Sequence, residues 1–293
     1  MLRVAEPYAI DARAARRGFD RAAATYVAAS PLEAEVGARM LARLDYIRAT
    51  PRRMLDAGAG PAREAQALTA RYPGAALVAL DASPAMLRAG RRPRSVRAWL
   101  RRTPRTLPVA ADYARMPLAS GCVDLLWSNM ALHWAQAHEP VVREFARVLA
   151  PNGLLMFSTL GPDTLKELRR AAGAAHVHLF MDMHDIGDLL LGAGFAAPVM
   201  DAEAVTLTYA DPEGLFADLR RSGQTSARAD RARGLHGRRF LEQLRAAITE
   251  QAGGGRVSAT FEVVYGHAWK GDKRQSEDGR AVIQTDALRH TFR

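Results

Sequence analysis

Acidic residues and glycines stand at points of the chain where a short apolar run ends. One run is followed by Asp56, Gly58 and Gly60, and a second run, 75–80, ends at Asp81. Glycines at such a turn let a bound molecule approach the backbone closely, and a following helix offers free N–H groups. A carboxylate at the end of the next strand can accept hydrogen bonds from both hydroxyls of a ribose. The spacing therefore indicates a site for an adenosine-containing molecule.

Two further polar residues extend this pattern along the chain. Asp112 begins a loop beside the predicted sheet, where it is placed to accept a hydrogen bond from an adenine amino group. Asn129 ends the run 122–129 next to the same crevice, whereas Asp124 lies inside that run and is expected to be structural. Any one of these residues could instead be a turn, cap or solvated loop residue. Their coincidence at successive strand ends is what favours one shared site.

A dinucleotide is one candidate ligand for a G-x-G turn of this kind. The dinucleotide fingerprint also needs a small residue three positions after its second glycine, so that the helix can pack closely on the strand. That position holds Arg63. A nicotinamide oxidoreductase is therefore the least favoured function for this site.

Strands and helices alternate around these residues. Buried strands are predicted at 52–58, 75–80, 122–129 and 154–160. Helices are predicted at 62–72, after the Ser83–Pro84 cap and at 139–149. Short loops between them predict a parallel sheet wrapped on both faces, with ligands at the carboxyl ends of the strands. No clear strand pattern occurs in 88–108, so the bounds of a strand within 88–110 stay open.

The two ends of the chain differ from this alternating core. Residues 12–48 have apolar positions at helical spacing and predict one or two helices ahead of the sheet. The β-rich segments 194–210 and 256–270 predict an antiparallel pair at one edge, with a helical, Arg-rich segment at 211–250 between them. The polar segment 270–293 predicts a flexible tail.

Composition narrows the functional classes. The 293 residues are 48% hydrophobic and 25% charged, and no apolar run of about 18 residues predicts a membrane span. No secretory signal is recognisable, and the single cysteine, Cys122, excludes an internal disulfide or a cysteine-based metal cluster. A reducing, cytoplasmic location fits. The net charge of +10 raises a nucleic-acid function, but 38 of the 41 basic residues are Arg, which points partly to compositional drift. Nucleic acid is therefore an unlikely partner.

A resemblance to a known family covers about residues 15–270. The chain resembles the biotin-pathway malonyl-acyl-carrier-protein O-methyltransferases, within the class I methyltransferase superfamily. The motifs that carry the resemblance are FDRAAATY (19–26), LDAGAGP (55–61), ALDASPAML (79–87), ADYARMPLA (111–119), DLLWSNMALHW (124–134), GLLMFSTLGPDTLKEL (153–168) and FEVVYGHAWK (261–270). Two positions depart from the family pattern: Ala62 stands where a third glycine is usual, and Ala59 where a cysteine is frequent. Both substitutes are small, and we expect binding to survive.

The resemblance implies a fold and a domain organisation. The expected fold is an α/β class I methyltransferase with a Rossmann-like seven-stranded sheet, helices on both faces and an antiparallel last strand. Residues 1–48 would form a helical lid, and 49–269 would form the methyltransferase domain with its helical insertion at about 211–250.

The resemblance also implies the cofactor and the reaction. S-adenosylmethionine would be the cofactor, and the residues expected to bind it are Asp56, Gly58, Gly60, Asp81, Ala82, Met86, Asp112, Tyr113 and Asn129. The acceptor would be the free carboxylate of a malonyl thioester, on acyl carrier protein or coenzyme A. Since that carboxylate is already ionised at pH 7, no general base, catalytic histidine or metal is expected.

Aromatic residues are expected to close the site. Phe19 and Tyr26 lie seven residues apart, on one helical face, and would cover the cofactor as part of the lid. His133 and Trp134 follow a strand end and are expected to face the acceptor. Ordinary packing roles remain open for all four.

Basic residues suggest a docking partner, since acyl carrier proteins are acidic. The two candidate clusters are Arg91, Arg92, Arg94, Arg97, Arg101 and Arg102, or Arg220, Arg221, Arg228, Arg231 and Arg233. Alternative readings are an RNA methyltransferase and a relative that acts on a protein in respiratory-complex assembly, with which 207–226 is loosely compatible. The YGHAW ending, 265–269, favours the biotin-pathway family.

Overall fold

One mixed sheet organises the protein in the computed structural model, which describes residues 8–91, 106–231, 234 and 237–271. Its seven strands lie in the order β3-β2-β1-β4-β5-β7-β6. They are β1 Arg53–Ala57, β2 Ala76–Asp81, β3 Thr106–Ala110, β4 Val123–Ser128, β5 Leu149–Leu160, β6 Phe195–Tyr209 and β7 Val257–Lys270. The first five strands pair in parallel, and β7 runs antiparallel to both β5 and β6. The predicted fold class, its antiparallel last strand included, is confirmed.

Helices cover both faces of this sheet. They are α1 Ala12–Ala22, α2 Tyr26–Ala29, α3 Pro31–Arg43, α4 Ala65–Arg71, α5 Pro84–Ala89, α6 His138–Val148, α7 Lys166–Ala172, α8 Met183–Gly192, α9 Pro212–Arg221 and α10 Arg238–Glu250. The predicted cap of α5 is confirmed, because the Ser83 side chain accepts a hydrogen bond from the Met86 N–H and Pro84 takes the first helical position. No helix within the described ranges is both long and apolar enough to cross a bilayer.

The core lies on both sides of the central strands. Consecutive residues of a strand point to opposite faces, so Trp127 packs into one apolar cluster and Leu126 into the other. Both side chains are fully buried. Continuous apolar sequence is what a parallel strand buried on both faces requires, which is why these strands were recognisable.

The edge strand β3 gave no such signal. It is short and half-exposed, and it contains Pro108. Proline is tolerated there because an edge strand leaves one row of N–H groups unpaired. The run 122–129, ordered third among the predicted strands, is therefore the fourth strand, β4. Residues 92–105 lie outside the described part of the chain.

The helical pattern predicted for 211–250 is interrupted. Between α9 and α10, the described residues 222–231 form an irregular segment that lies against the start of α1. The Asp11 N–H donates to Ala227 O at 2.7 Å, and the Ala229 N–H donates to Ala9 O at 2.9 Å. Backbone pairing over this sequence distance could not be read from local periodicity. The predicted tail falls almost wholly on 272–293, outside the described residues.

Asp124 holds the amino end of the sheet, as expected of a structural residue. Its Oδ2 accepts the backbone N–H groups of Arg52 and Arg53 at 3.0 and 2.9 Å. The Arg53 guanidinium completes the arrangement with a 2.6 Å contact to Oδ1. These bonds fix the entry of the chain into β1, at the end of the sheet opposite the glycine turn.

Candidate active site

A large cavity of about 820 Å³ opens at the carboxyl ends of the parallel strands. We call it the large cavity. Among the residues predicted from sequence, those that line it are Gly58, Gly60, Asp81, Ala82, Met86, Asp112, Tyr113 and Asn129, together with Phe19, Tyr26 and Trp134. Asp56 and His133 do not line it. Parallel strands bring their carboxyl ends to one rim, so residues far apart in sequence meet there.

The glycine turn after β1 forms the floor of the large cavity. Gly58 has φ +76° and Gly60 has φ +53°, a region that side-chain-bearing residues rarely adopt. A Cβ on Gly58 would collide with the Ala131 side chain. The turn is fixed to β2, since the N–H groups of Gly58 and Ala59 donate to Leu80 O at 2.8 and 3.0 Å. Glycine is required at position 58 by both conformation and space.

Asp81 presents its carboxylate to the large cavity from the end of β2. Its Oδ2 accepts the Gly60 N–H at 2.8 Å, and its Oδ1 accepts the Ser83 N–H at 2.7 Å. Burial raises the pKa of Asp81, and these two backbone donors counteract the rise. Each oxygen keeps a further lone pair, so the group can accept two more hydrogen bonds from a ligand.

Asp112 and Tyr113 form the next part of the wall, after β3. The Asp112 side chain is exposed and accepts the Ala114 N–H at 2.8 Å, which shapes the loop. The Tyr113 hydroxyl donates to Ala131 O at 3.1 Å, and its ring packs edge-on against Phe145. With the buried Met86 nearby in the lining, this end of the cavity combines one acceptor with flat apolar walls.

Asn129 ties the rim to the helices above it. Its amide nitrogen donates to Glu33 O at 3.0 Å and to Glu64 Oε1 at 3.3 Å, and its oxygen accepts from the Ser158 hydroxyl at 2.9 Å. Sequence reasoning missed Glu33 and Glu64. Both are buried, Glu33 on α3 and Glu64 just before α4, and no periodic signal in the sequence separates a buried glutamate from an exposed one.

Burial raises the pKa values of the carboxyl groups beside this network. Burial raises the pKa of Glu33 to about 7 and also raises that of Glu64. Asp56 lies below the glycine turn and is 1% exposed, and its Oδ2 has no hydrogen-bond partner among the described residues. Burial, followed by the nearby Glu64 and Asp81, raises the pKa of Asp56 well above its ordinary value.

Helix α1 covers the large cavity. It is held at one end by Asp11, which pairs with Arg231 at 3.0 Å, and at the other by Asp20, which accepts from the Ser83 hydroxyl at 2.6 Å. The Phe19 ring on this helix stacks edge-on against Trp134, with centroids 4.9 Å apart, and lies 6.3 Å from the Tyr26 ring. The three aromatic rings form a continuous wall.

Known proteins resemble this chain closely. A family model described as a methyltransferase domain matches residues 55–157. A malonyl-[acyl-carrier protein] O-methyltransferase of Laribacter hongkongensis is 48% identical, over 95% of this chain and 97% of the relative. A protein of the same name from a Methylovorus species is 47% identical, over 96% of each chain. This chain belongs to the malonyl-[acyl-carrier protein] O-methyltransferase family.

A solved structure shows the same fold at much lower identity. The YcgJ protein of Bacillus subtilis matches this methyltransferase with a TM-score of 0.56 at 16% identity, over 80% of this chain and 99% of that one. The two proteins therefore share a fold although their sequences differ widely.

S-adenosylmethionine is the cofactor of this methyltransferase. The large cavity fits it on two observations: the open space beside Gly60, where a Cβ would meet only the Tyr26 ring at 4.0 Å, and the spare lone pairs of Asp81. Its volume lies within the range of about 300–1,000 Å³ that ligand pockets occupy.

Arg63 argued against a dinucleotide site, and Ala62 departs from the family pattern. The structure accounts for both residues. Arg63 donates to the Ser30 hydroxyl at 2.6 Å and to Val27 O at 3.3 Å, so it fixes the junction of α2 and α3. Ala62 has φ +50°, the conformation in which glycine is favoured, which explains why a glycine at this place would be the less strained choice.

A second cavity, of about 410 Å³, lies on the other side of Trp134. We call it the second cavity; Trp134 lines both. His133 lines it together with His178 and Phe180. Burial lowers the pKa of His133 to about 3 and that of His178 to about 4, so both rings are neutral at pH 7. His133 therefore faces the second cavity, which adjoins the large cavity at Trp134.

Proposed function

We propose that this methyltransferase esterifies the free carboxylate of a malonyl thioester carried on acyl carrier protein, an early step of biotin synthesis. The observation that carries the proposal is the near-full-length identity, 48% and 47%, to relatives named for this reaction. The large cavity supports the cofactor half of the proposal and the second cavity supports the acceptor half.

The cofactor would be held by the rim of the sheet. Asp81 would accept the ribose hydroxyls through its remaining lone pairs, and Asp112 would accept from the adenine amino group. The turn at Gly58 and Gly60 would admit the amino-acid portion close to the backbone. The remaining contacts would come from Ala82, Met86, Tyr113 and Asn129, which line the same space.

Asp56 would act from below the turn, since it does not line the large cavity. Its raised pKa favours the neutral carboxyl, which can donate as well as accept a hydrogen bond.

The chemistry needs placement more than proton transfer. Bound S-adenosylmethionine supplies a methyl group on a positively charged sulfur, and a malonyl carboxylate is already ionised at pH 7. The chain's part is to hold that carboxylate in line and to exclude water. His133, kept neutral by burial, is a weak base but can donate an N–H to the carboxylate. Trp134, Phe19 and Tyr26 would close the space around the reacting groups.

The acidic carrier protein would dock on a basic face. In the second of the two candidate clusters, Arg228 pairs with Asp230 and Arg231 pairs with Asp11, so both serve the protein's own structure. Arg220 and Arg221 form no ion pair with a described residue. Arg233 and, in the other cluster, all but Arg91 lie outside the described residues. Arg220 and Arg221 are therefore the better supported candidates.

A direct assay tests the proposed function. Purified protein is mixed with methyl-labelled cofactor and malonyl-acyl carrier protein, and the labelled methyl ester is measured by mass spectrometry. Malonyl-coenzyme A replaces the carrier in a second reaction, and a short RNA replaces it in a third. We expect the ester with the carrier substrate. Label on the RNA alone, or on neither malonyl thioester, would overturn the proposal.

A further inference from the structure

The second cavity has a lining suited to a flexible chain that alternates methylene and amide groups. Its apolar walls include Leu160, Leu168, Phe216 and Phe261, and polar groups such as Thr164 stand between them. Ligand pockets combine apolar walls with a few placed polar groups in this way. The shared wall at Trp134 puts its inner end next to the large cavity.

The outer end of the second cavity lies at helices α9 and α10. Arg220, at the end of α9, is exposed and lines the cavity. Leu241 on α10 also lines it and is 41% exposed. The mouth of the second cavity therefore presents both an apolar side chain and a cation.

Unpaired positive charge surrounds this mouth. Arg238 precedes Leu241 by three positions, so the two side chains lie on the same face of α10. Arg239 directly follows Arg238 in the first turn of this helix. Arg220, Arg238 and Arg239 make no ion pair with a described residue, whereas Arg245, further along α10, is paired with Glu213. Arg220 at the mouth and Arg238 and Arg239 on the adjoining turn of α10 are thus available to an acidic partner.

We propose that the second cavity receives the pantetheine thioester arm, and that Arg220, Arg238 and Arg239 hold the acidic carrier protein at its mouth. This rests on the proposed function for the identity of the thioester. The cofactor then enters from the α1 side and the acyl group from the α9–α10 side, and the two meet at Trp134. A phosphodiester at the head of the arm and acidic helices on the carrier both complement these arginines.

The first test changes the charge at the mouth. Arg220→Glu should raise the KM for malonyl-acyl carrier protein about tenfold, more strongly at low ionic strength, because surface charges are screened by salt. The KM for a malonyl thioester of N-acetylcysteamine, which lacks the carrier, should change little. The matched control is Arg48→Glu, an exposed arginine ahead of β1 at the opposite end of the sheet. Equal effects of the two variants would overturn the docking face.

The second test places a probe in the cavity without relying on turnover. Ser226 lines the second cavity and is exposed, so Ser226→Cys should preserve the fold. Carrier protein bearing a bromoacetyl pantetheine arm should alkylate this cysteine with loss of bromide, and excess malonyl-acyl carrier protein added beforehand should suppress the cross-link. Thr50→Cys, an exposed residue ahead of β1, is the control, and the wild type reports any background from Cys122.

The two experiments separate the two proposals. Cross-linking at position 226 without methyl ester formation would sink the proposed function and keep the arm site. Ester formation with no cross-link at position 226 beyond that at position 50 would sink the arm site and keep the function. A change in cofactor affinity in Arg220→Glu equal to its change in KM would also overturn the separate entry of the two substrates.

Discussion

Two rims of the same sheet use aspartate differently. At the amino end, Asp124 accepts two backbone N–H groups and is neutralised by Arg53. At the carboxyl end, Asp81 also accepts two backbone N–H groups, but it forms no ion pair with a described residue and its remaining lone pairs meet the large cavity. The difference shows in their pKa values, which the Arg53 bond lowers for Asp124 and burial raises for Asp81. A carboxylate that is oriented but not neutralised is one that can serve a ligand.

The largest expected effect is the loss of cofactor affinity in Asp81→Ala. Two hydrogen bonds to a charged group contribute about 1.5–3 kcal/mol each, which corresponds to roughly a thousandfold weaker binding. Isothermal titration calorimetry with S-adenosylmethionine measures it. The matched variant Asp124→Ala should lower the melting temperature and leave affinity within a few fold. Unchanged affinity in Asp81→Ala, in a protein that circular dichroism shows to be folded, would refute the ribose assignment.

The next effect is a pH dependence of stability at the carboxyl rim. The pKa of Glu33 is raised from 4.5 to about 7, so between these values the folded state holds a proton that the unfolded state has released. Stability should therefore fall as pH rises through this window, by about 3 kcal/mol at about 1.4 kcal/mol per pKa unit. In Glu33→Gln this loss should be smaller by the Glu33 contribution, while Asp56, Glu64 and Asp81 keep contributions of the same sign.

Urea unfolding at pH 4.5 and pH 8 checks this prediction. Glu35→Gln, on the same helix but exposed, is the control and should keep the wild-type pH dependence. At the amino rim the sign is opposite: the lowered pKa of Asp124 gives stability that is lost as pH falls through its folded-state value. A wild-type protein whose stability rises steadily from pH 5 to pH 8 would contradict the burial argument for Glu33.

A pair of glycines gives a third comparison of the rims. Gly58 at the carboxyl end and Gly74 ahead of β2 both have positive φ, +76° and +89°. Alanine at either place should destabilise the protein by about 1–2 kcal/mol through the backbone. Only at Gly58 does the new Cβ also collide with Ala131, whereas nothing lies within 4 Å at Gly74. Gly58→Ala should therefore lose more stability and also cofactor affinity, and equal behaviour of the two variants would remove the steric argument.

The smallest expected effect is a gain of stability in Ala62→Gly. Alanine at φ +50° costs about 1 kcal/mol relative to a residue without Cβ, partly offset by the greater flexibility of glycine in the unfolded chain. Thermal unfolding should show a rise of a few degrees at most, with cofactor affinity unchanged. A lower melting temperature would mean that the Ala62 side chain contributes packing that outweighs the strain.

Much of the cofactor rim was predictable because its residues follow strong local signals. Gly58 and Gly60 lie in the turn that follows β1, Asp81 is the last residue of β2, and Ser83 caps the next helix. The bounds of the edge strand β3 could not be predicted, because a half-exposed strand with Pro108 carries no continuous apolar pattern. Glu33 and Glu64 were not predicted, since only packing distinguishes a buried glutamate from a solvated one.

The second cavity shows the limit more clearly. Its wall draws on His133, on Thr164 ahead of α7, on Phe216 in α9, on Leu241 in α10 and on Phe261 in β7. No short motif unites these positions, and His133 was expected simply to face an acceptor. That its ring is neutral follows from burial, which is a property of the assembled fold.

Sequence alone determined the order of strands and helices, the glycine turn and the acids at successive strand ends, because backbone preferences and apolar periodicity act over a few residues. Only the tertiary structure decided which carboxylate is neutralised and which faces a cavity. It also decided which arginines stay unpaired, and that Trp134 lines both the large cavity and the second cavity. Those outcomes depend on dielectric surroundings and on contacts between segments distant in sequence, such as Arg53 with Asp124, 71 residues apart, and local sequence carries no record of either.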